Sequence, residues 1–186
     1  MRYDLVTTTY LPGRANAAAL AAASSGAAEG LEAYWVSEIG VLNQTVELWS
    51  QPRPAPAGEA GVAQETLTLT GIVGPVAPLA AGGIYEMRHY RLRPGLVPAW
   101  VAIFTAALPA REKHSKIVGL FASDPGEADQ VVHIWGYPDL NTRAAARAAA
   151  LQDPVWQDFL AKSRSQQMTV RQEVTILLPA AHSPLT

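Results

Sequence analysis

The sequence has 186 residues with 14 basic and 16 acidic side chains, a formal charge of −2, and no cysteine. This balance, without a cluster of Lys and Arg, argues against nucleic acid or an anionic membrane as a partner. The absence of cysteine excludes disulfides and thiolate nucleophiles. No apolar run approaches the roughly 18 residues of a membrane span, and the start lacks a basic and then apolar leader pattern, so we expect a cytoplasmic protein.

The sequence contains an internal repeat. Residues 3–13 align without gaps on residues 85–95, and both segments end in Pro-Gly. Further along, residues 35–49 align on residues 121–135 in one ungapped register, 86 positions apart. Matched blocks in the same order indicate one small domain that is used twice.

The first copy spans residues 1–80. Its apolar patterning predicts strands and one helix in this order: strand 3–11, helix 15–28, strands 31–37 and 44–49, and strand 66–73. Between the last two strands, residues 51–61 contain three prolines and two glycines, which are incompatible with a continuous helix. We therefore predict a loop over residues 51–61.

The second copy spans residues 84–184 and has the more complete pattern. Its predicted elements are strand 84–92, helix 96–113, strands 116–122 and 130–136, a helix from 140 to about 165 that restarts at Asp153-Pro154, and strand 170–178. We expect Pro109 to kink or end the first helix and Asn141 to cap the second. The order β-α-β-β-α-β predicts a ferredoxin-like α+β unit, with both helices on one face of an antiparallel sheet.

The first copy therefore lacks one of the two helices that would cover its sheet. A sheet face left bare would attract a partner. This predicts a homo-oligomer formed through the N-terminal half.

The second copy resembles the NIPSNAP family. The likeness lies in these segments: residues 85–95 (Tyr-Glu-Met-Arg-His-Tyr-Arg-Leu-Arg-Pro-Gly), 118–121, 129–137, Arg143 with Arg147, 153–156 with Phe159, and the tail 178–184. The resemblance implies the dimeric α+β barrel fold, in which two sheets pack face to face. Here both halves lie in one chain, so the tandem ferredoxin-like repeats are expected to form an intrachain barrel. The resemblance implies no particular activity.

Strand alternation assigns side chains to the helix side or to a cavity between the sheets. In the strand that contains His133, the apolar Val132 and Ile134 suit the helix side. His133 and Trp135 are therefore predicted to face the cavity.

The same argument applies to two other strands. Glu47 and Trp49 are the counterparts of His133 and Trp135 in the first copy, so they are also placed toward the cavity. Glu86, Arg88 and Tyr90 are assigned to the cavity too, since charged groups are costly beneath helices.

The functional hypothesis is that Arg88, Tyr90 and His133 form a catalytic polar cluster, with Glu86 or Glu47 setting the protonation of His133. Such a cluster could bind an anionic or enolic small molecule and move a proton. The structural alternative, which weighs more on general grounds, is a buried network of ion pairs and hydrogen bonds that fixes the register of the two sheets.

Other polar residues have alternatives of their own. With the opposite strand phase, His89 becomes the cavity residue. Arg143 and Arg147 could grip a phosphate, although such a pair is more often solvated or paired with acids such as Asp139 and Asp153. No two histidines have a metal-type spacing and no phosphate-loop pattern is present, so neither a metal nor a cofactor is predicted.

Three functional interpretations stay open. The first is a protein that binds a small molecule in the cavity between the sheets. The second is a scaffold or interaction module whose barrel is filled by side chains. The third is an enzyme similar to the cofactor-free monooxygenases or isomerases of the wider superfamily, which is an analogy from fold.

Overall fold

The computed structural model describes residues 1–24, 28–50, 62–75, 83–124 and 129–185. These residues form eight strands and four helices in this chain order: β1 (Arg2–Thr9), α1 (Ala15–Ser24), β2 (Leu31–Ile39), β3 (Gln44–Trp49), β4 (Ala63–Val73), β5 (Ile84–Leu92), α2 (Val97–Arg111), β6 (Ile117–Ala122), β7 (Gln130–Tyr137), α3 (Leu140–Ala150), α4 (Pro154–Ser165) and β8 (Thr169–Pro179). Residues 51–61, where a loop is predicted, lie outside the described residues.

The eight strands close into one antiparallel barrel. The strand order within the first half is β4-β1-β3-β2, and the second half repeats it as β8-β5-β7-β6. The halves join where β2 pairs with β8 and where β4 pairs with β6, so each half contributes the same two edges to the closure. The prediction of tandem ferredoxin-like repeats that form an intrachain barrel is confirmed.

Each predicted strand and helix overlaps an observed element. The strands Gln44–Trp49 and Ile84–Leu92 have the predicted bounds. The predicted cap of α3 is wrong, because the cap is Asp139, whose carboxylate accepts a hydrogen bond of 2.7 Å from the Thr142 amide. An extended residue with an acceptor side chain before the first turn satisfies an otherwise free helical N–H.

Apolar side chains from both halves fill the interior of the barrel. This interior cluster includes the following buried residues: Tyr3, Leu5, Trp35, Val46, Leu48, Leu69, Tyr85, Met87, Phe121, Val132, Ile134 and Leu177. The assignment of Val132 and Ile134 to the helix side is therefore wrong. All eight residues of β7 are buried, so both of its faces are covered and polarity alone could not tell one from the other.

The outer face of the second sheet packs against α2, α3 and α4. The cluster on this face includes Trp100 and Phe104 from α2, Trp156 and Phe159 from α4, and Trp135 from β7. Since side chains alternate along a strand, His133 shares this outer face with Trp135. The polar cluster predicted between the sheets lies instead between the second sheet and its helices.

Helix α1 covers part of the outer face of the first sheet. Ala19 of this helix packs with Val6, Leu31, Tyr34 and Trp49. The homo-oligomer expected through the N-terminal half stays a prediction. Among the helices that the structure describes, none combines the length and hydropathy needed to cross a membrane.

Candidate functional site

A pocket of about 520 Å³ lies between the outer face of the second sheet and helices α2, α3 and α4. Five tryptophan and phenylalanine side chains contribute to its wall: Trp100, Phe104, Trp135, Trp156 and Phe159. Its charged and titratable lining is made of Arg88, Tyr90, Arg111, His133, Arg147 and Arg164. Of the described residues that line the pocket, none is acidic.

The pocket is deep, because its two ends differ in exposure. Trp100 and Trp135 are each 1% exposed and His133 is 3% exposed, so these residues form the floor. Arg164 and Gln172 are exposed and belong to the mouth, beside the end of α4 and the start of β8. A ligand that reached His133 would therefore be largely removed from water.

The carboxylate of Glu86 binds two arginines of the pocket lining and a third arginine, on α3. Its Oε1 accepts hydrogen bonds from Arg88 at 2.7 Å, Arg143 at 2.8 Å and Arg147 at 3.0 Å, and its side chain is fully buried. Burial alone would raise the pKa of Glu86, but the hydrogen bond from Arg143 and the charges of Arg147 and Arg88 lower it below its usual value. Glu86 is therefore ionised at neutral pH and fixes the guanidinium groups.

Tyr90 is held in place by one of these arginines. Arg88 Nε donates a hydrogen bond of 2.6 Å to the Tyr90 hydroxyl oxygen. Burial raises the pKa of Tyr90, and the charge of Arg88 opposes that change only in part. Tyr90 is therefore a neutral phenol at neutral pH, and its own hydroxyl proton is available to a ligand.

His133 lies at the floor beside Trp135. The indole Nε1 of Trp135 donates a hydrogen bond of 2.7 Å to His133 Nδ1. The other ring nitrogen, Nε2, is buried and has no hydrogen-bond partner among the described residues. Burial, followed by the charges of Arg88, Arg111 and Arg147, holds the pKa of His133 well below its usual value, so the ring is neutral at neutral pH.

Arg111 is a buried cation at the end of α2. It is 4% exposed, its guanidinium carbon lies 4.5 Å from the centroid of the Trp135 ring, and it donates a hydrogen bond of 3.0 Å to the Tyr137 hydroxyl. It also bonds the Ser115 hydroxyl. Within the part of the chain that the structure describes, no carboxylate pairs with Arg111. Among the described residues, its charge is instead compensated by the rings of Trp135 and Trp156, the latter with its centroid 5.8 Å from the guanidinium carbon, and by two hydroxyl groups.

The aromatic side chains of the pocket wall pack against one another, which restricts their movement. Trp100 and Phe104 are stacked at 4.7 Å between ring centroids, and Phe104 meets Trp156 and Phe159 edge to face at 5.8 and 5.5 Å. Such pairs restrict each other's rotamers. The wall therefore offers a rigid apolar surface to a planar group.

The structure brings most of the predicted site residues together, but on the other face of the sheet. Arg88, Tyr90, His133 and Trp135 all line the pocket under the helices. Neither predicted acid bonds to His133: Glu86 binds arginines, and Glu47 lies in the first half.

Glu47 and Trp49 form a related pair below α1. Trp49 Nε1 donates a hydrogen bond of 2.9 Å to Glu47 Oε2, and Glu47 is 1% exposed. This pair repeats the arrangement of His133 and Trp135 at the matched positions of the first half. It does not line the pocket of the second half.

His89 lies on the opposite face from Arg88, at the rim of the barrel. Its Nε2 contacts Gln130, and its Nδ1 lies 3.8 Å from a carboxylate oxygen of Glu173. Its side chain is 24% exposed, and it does not line the pocket. The alternative strand phase predicted that His89 would face a cavity between the sheets. Apolar side chains occupy that interior.

The acidic partners proposed for Arg143 and Arg147 are also wrong. Both arginines bind Glu86. Asp139 caps α3, while Asp153 caps α4 and pairs with Lys113 at 3.3 Å. Carboxylates at helix N-termini are stabilised by free backbone N–H groups, which explains why these two are used as caps.

Arg111 is the main residue of the pocket that was not predicted from the sequence. The available signal was its spacing, because positions 100, 104 and 111 fall on one face of a helix. A charged residue on the face that also bears Trp100 and Phe104 must be buried with them. The sequence could therefore have indicated a buried cation on α2.

The architecture and the pocket define a protein of the dimeric α+β barrel class. A putative monooxygenase from Lactobacillus acidophilus superposes with a TM-score of 0.67 over 97% of this chain and 94% of its own, at 9% identity, which is a likeness of fold alone. The family model for NIPSNAP matches residues 85–184, so the chain belongs to the NIPSNAP family.

Individual relatives agree with this membership. The Dictyostelium discoideum NipSnap homolog is 30% identical over 150 residues, which is 69% of this chain and 66% of that protein. NipSnap homolog 1 of Danio rerio is 32% identical over 58% of this chain and 38% of its own length. This chain therefore spans less than two thirds of the length of each of these two relatives. A crystal structure of a family member of unknown function from Agrobacterium tumefaciens is 34% identical, with a TM-score of 0.53, over 60% of this chain and all of that one.

Proposed function

We propose that the second half of the protein binds small organic anions with a planar apolar body in the pocket between its sheet and helices α2, α3 and α4. The observation that supports this most directly is the charge of the lining. Four arginines line the pocket, and none of the described lining residues is acidic.

The charge balance favours an anionic ligand. One buried carboxylate, Glu86, faces the three guanidinium groups of Arg88, Arg143 and Arg147, of which Arg88 and Arg147 line the pocket. Arg111 adds a further buried cation without a carboxylate. Buried cations are costly when they are not compensated, and an anion in the pocket would recover part of that cost.

The shape and lining of the pocket favour a planar body. A volume of about 520 Å³ lies in the range of sites for small organic molecules. Stacked aromatic side chains present flat apolar surfaces, and the guanidinium group of Arg111 and the ring of His133 lie directly beside them. This combination suits a molecule that has an apolar ring next to a negative group.

A scaffold with no ligand is the second candidate. It is favoured by the filled barrel interior and by the way in which Glu86 fastens α3 to the sheet through Arg143 and Arg147. On this interpretation, the polar cluster fixes the position of the helices and nothing enters the pocket.

Quenching of tryptophan fluorescence by benzoate and by neutral benzamide separates the two candidates, because three tryptophans line the pocket. We expect benzoate to bind at least about ten-fold more tightly than benzamide. Arg111→Met should weaken benzoate binding by a similar factor. Arg171→Met, which removes an exposed charge outside the lining, is the matched control and should leave binding unchanged.

Two outcomes would contradict the proposal. One is equal binding of benzoate and benzamide, which would show that charge plays no part. The other is the absence of saturable quenching by either compound, which would favour the scaffold. Thermal unfolding of each variant shows whether a loss of binding comes from a loss of structure.

A further inference from the structure

Each half of the barrel contains a hydrogen-bonded pair of side chains at matched positions of the repeat. In each half, a tryptophan indole donates a hydrogen bond to the side chain two residues earlier on the same strand. Trp49 donates to Glu47 at 2.9 Å, and Trp135 donates to His133 at 2.7 Å. The pairs lie 86 positions apart, at matched places in the repeat.

The indole determines which ring nitrogen of His133 holds the proton. An indole N–H can only donate, so His133 Nδ1 must accept and cannot itself be protonated while the bond persists. A neutral imidazole with a bare Nδ1 has its proton on Nε2. Nε2 is the buried nitrogen without a partner among the described residues, and His133 lines the pocket.

We infer that Trp135 fixes His133 as an Nε2–H donor at the floor of the pocket, so that His133 binds an anionic oxygen of the ligand and does not remove a proton from it. The statement about the ligand rests on the proposed function, whereas the statement about the tautomer does not. Trp135 is then a positioning residue, and His133 selects ligands that are already ionised.

The surroundings of His133 support a fixed neutral donor. The charged and titratable groups that line the pocket with it are Arg88 and Tyr90 on β5, Arg111 on α2, Arg147 on α3 and Arg164 on α4. The arginines are cations and Tyr90 is a neutral phenol, while β8 contributes the uncharged Thr169 and Gln172. A further cation, imidazolium, is disfavoured in such a setting.

In the first half, a glutamate, Glu47, occupies the position that matches His133. A glutamate at the floor of the pocket would remove a hydrogen-bond donor. An ionised glutamate in the place of His133 could still accept from the indole, but it would offer the ligand no donor. A glutamine could accept through its amide oxygen and donate through its amide nitrogen, which reproduces both hydrogen bonds of the fixed histidine. His133→Gln and His133→Glu are therefore a matched pair of nearly equal size.

The tautomer can be measured without any ligand. We expect nitrogen NMR of the full chain, labelled at its histidine ring nitrogens, to show His133 with a bare Nδ1 and a protonated Nε2 at pH 8. The same pattern should persist about one pH unit below the ordinary histidine pKa of about 6.5. The signals are assigned by their loss in His133→Gln. A protonated Nδ1, or an imidazolium near pH 6, would overturn the inference.

The second measurement uses two probes, para-nitrophenol and benzoate. The phenol absorbs differently as phenol and as phenolate, so its bound form can be observed directly. We expect wild type and His133→Gln to bind the phenolate or benzoate within about three-fold of each other. His133→Glu should bind at least about ten-fold more weakly.

The outcomes distinguish the inference from the proposed function. An equal loss in both variants would show that His133 acts as a base or as a cation, which overturns the inference. Binding of the phenolate alone or of benzoate alone identifies the kind of anionic oxygen and supports it. If wild type binds neither probe, the proposed function and the statement about the ligand both fail, while the NMR spectrum still decides the tautomer.

Discussion

Glu86 on β5 and Arg147 on α3 form an ion pair of 3.0 Å across the boundary between the sheet and its helices. The carboxylate is fully buried and also binds Arg88 and Arg143. One carboxylate therefore binds three guanidinium groups and links α3 to the second sheet. Its removal would leave all three cations without their buried counter-ion.

We predict that Glu86→Gln lowers the free energy of unfolding by about 3–5 kcal/mol, because removing one partner of a buried ion pair leaves uncompensated charge. Urea denaturation of wild type and variant measures this difference. Glu173→Gln, which affects a carboxylate with a 46% exposed side chain on β8, is the control and should cost under about 1 kcal/mol. A similar small loss in both variants would show that the Glu86 network contributes little to stability.

The same carboxylate makes stability depend on acidity. The pKa of Glu86 is lower in the folded protein than in the unfolded chain, so its contribution is fully present above the unfolded value, near 4.5, and is lost as the pH falls toward the folded value. We therefore expect the stability difference between wild type and Glu86→Gln to be constant near neutrality and to shrink below about pH 4.5. Urea denaturation at a series of pH values tests this. A difference that stays constant into strong acid would contradict it.

His133 produces a second dependence at higher pH. The pKa of His133 is lowered in the folded state. Below the ordinary histidine pKa, the unfolded chain therefore binds a proton at this residue before the folded protein does. Wild type should lose up to about 1.4 kcal/mol per pH unit as the pH falls below about 6.5, whereas His133→Gln should lack this loss.

The comparison of these two curves isolates His133. Burial also lowers the pKa of His182, but His182 is present in both proteins and cancels in the difference. Chemical denaturation between about pH 5 and pH 8 covers the range. Parallel curves for wild type and His133→Gln would show that His133 takes up its proton as readily when folded as when unfolded.

The architecture could be predicted from two separate features of the sequence: the matched segments of the repeat, and the order of turns and helices that follows each of them. Residues 3–13 and 85–95 begin matched strands, and the turn and helix patterns that follow are those of a ferredoxin-like unit. Periodicity found β3 and β5 with their observed bounds. The cap of α3 was missed because Asp139 and Asn141 are both good capping residues, and the choice depends on where the backbone becomes helical.

The sequence predicted the members of the polar cluster but not their side of the sheet. Alternation separates two faces only when one of them meets water, and β7 is buried throughout. Glu86 and Arg88 are tolerated beneath the helices, against expectation, because Arg143 and Arg147 lie in one of them, α3, and pair with Glu86. A partner that is 57 or more positions away along the chain cannot be read from local patterning.

The corrected assignment of faces predicts different effects for neighbouring residues of β7. Ile134 and its repeat counterpart Leu48 are both fully buried in the barrel interior, away from the pocket. Ile134→Ala and Leu48→Ala should each lower the free energy of unfolding by about 2–5 kcal/mol, through lost burial and the cavity that remains. Leu20→Ala, at a residue on α1 that is 71% exposed, is the control and should change stability by less than about 0.5 kcal/mol.

The binding of benzoate should respond differently from stability. Because the side chain of Ile134 points away from the helices, Ile134→Ala should leave the benzoate affinity of the folded protein unchanged, whereas Arg111→Met should reduce that affinity. Calorimetric titration at a temperature where each variant is fully folded separates affinity from stability. If Ile134→Ala weakened binding as much as Arg111→Met, the ligand would have to reach the barrel interior, and the pocket under α2 and α4 would not be the binding site.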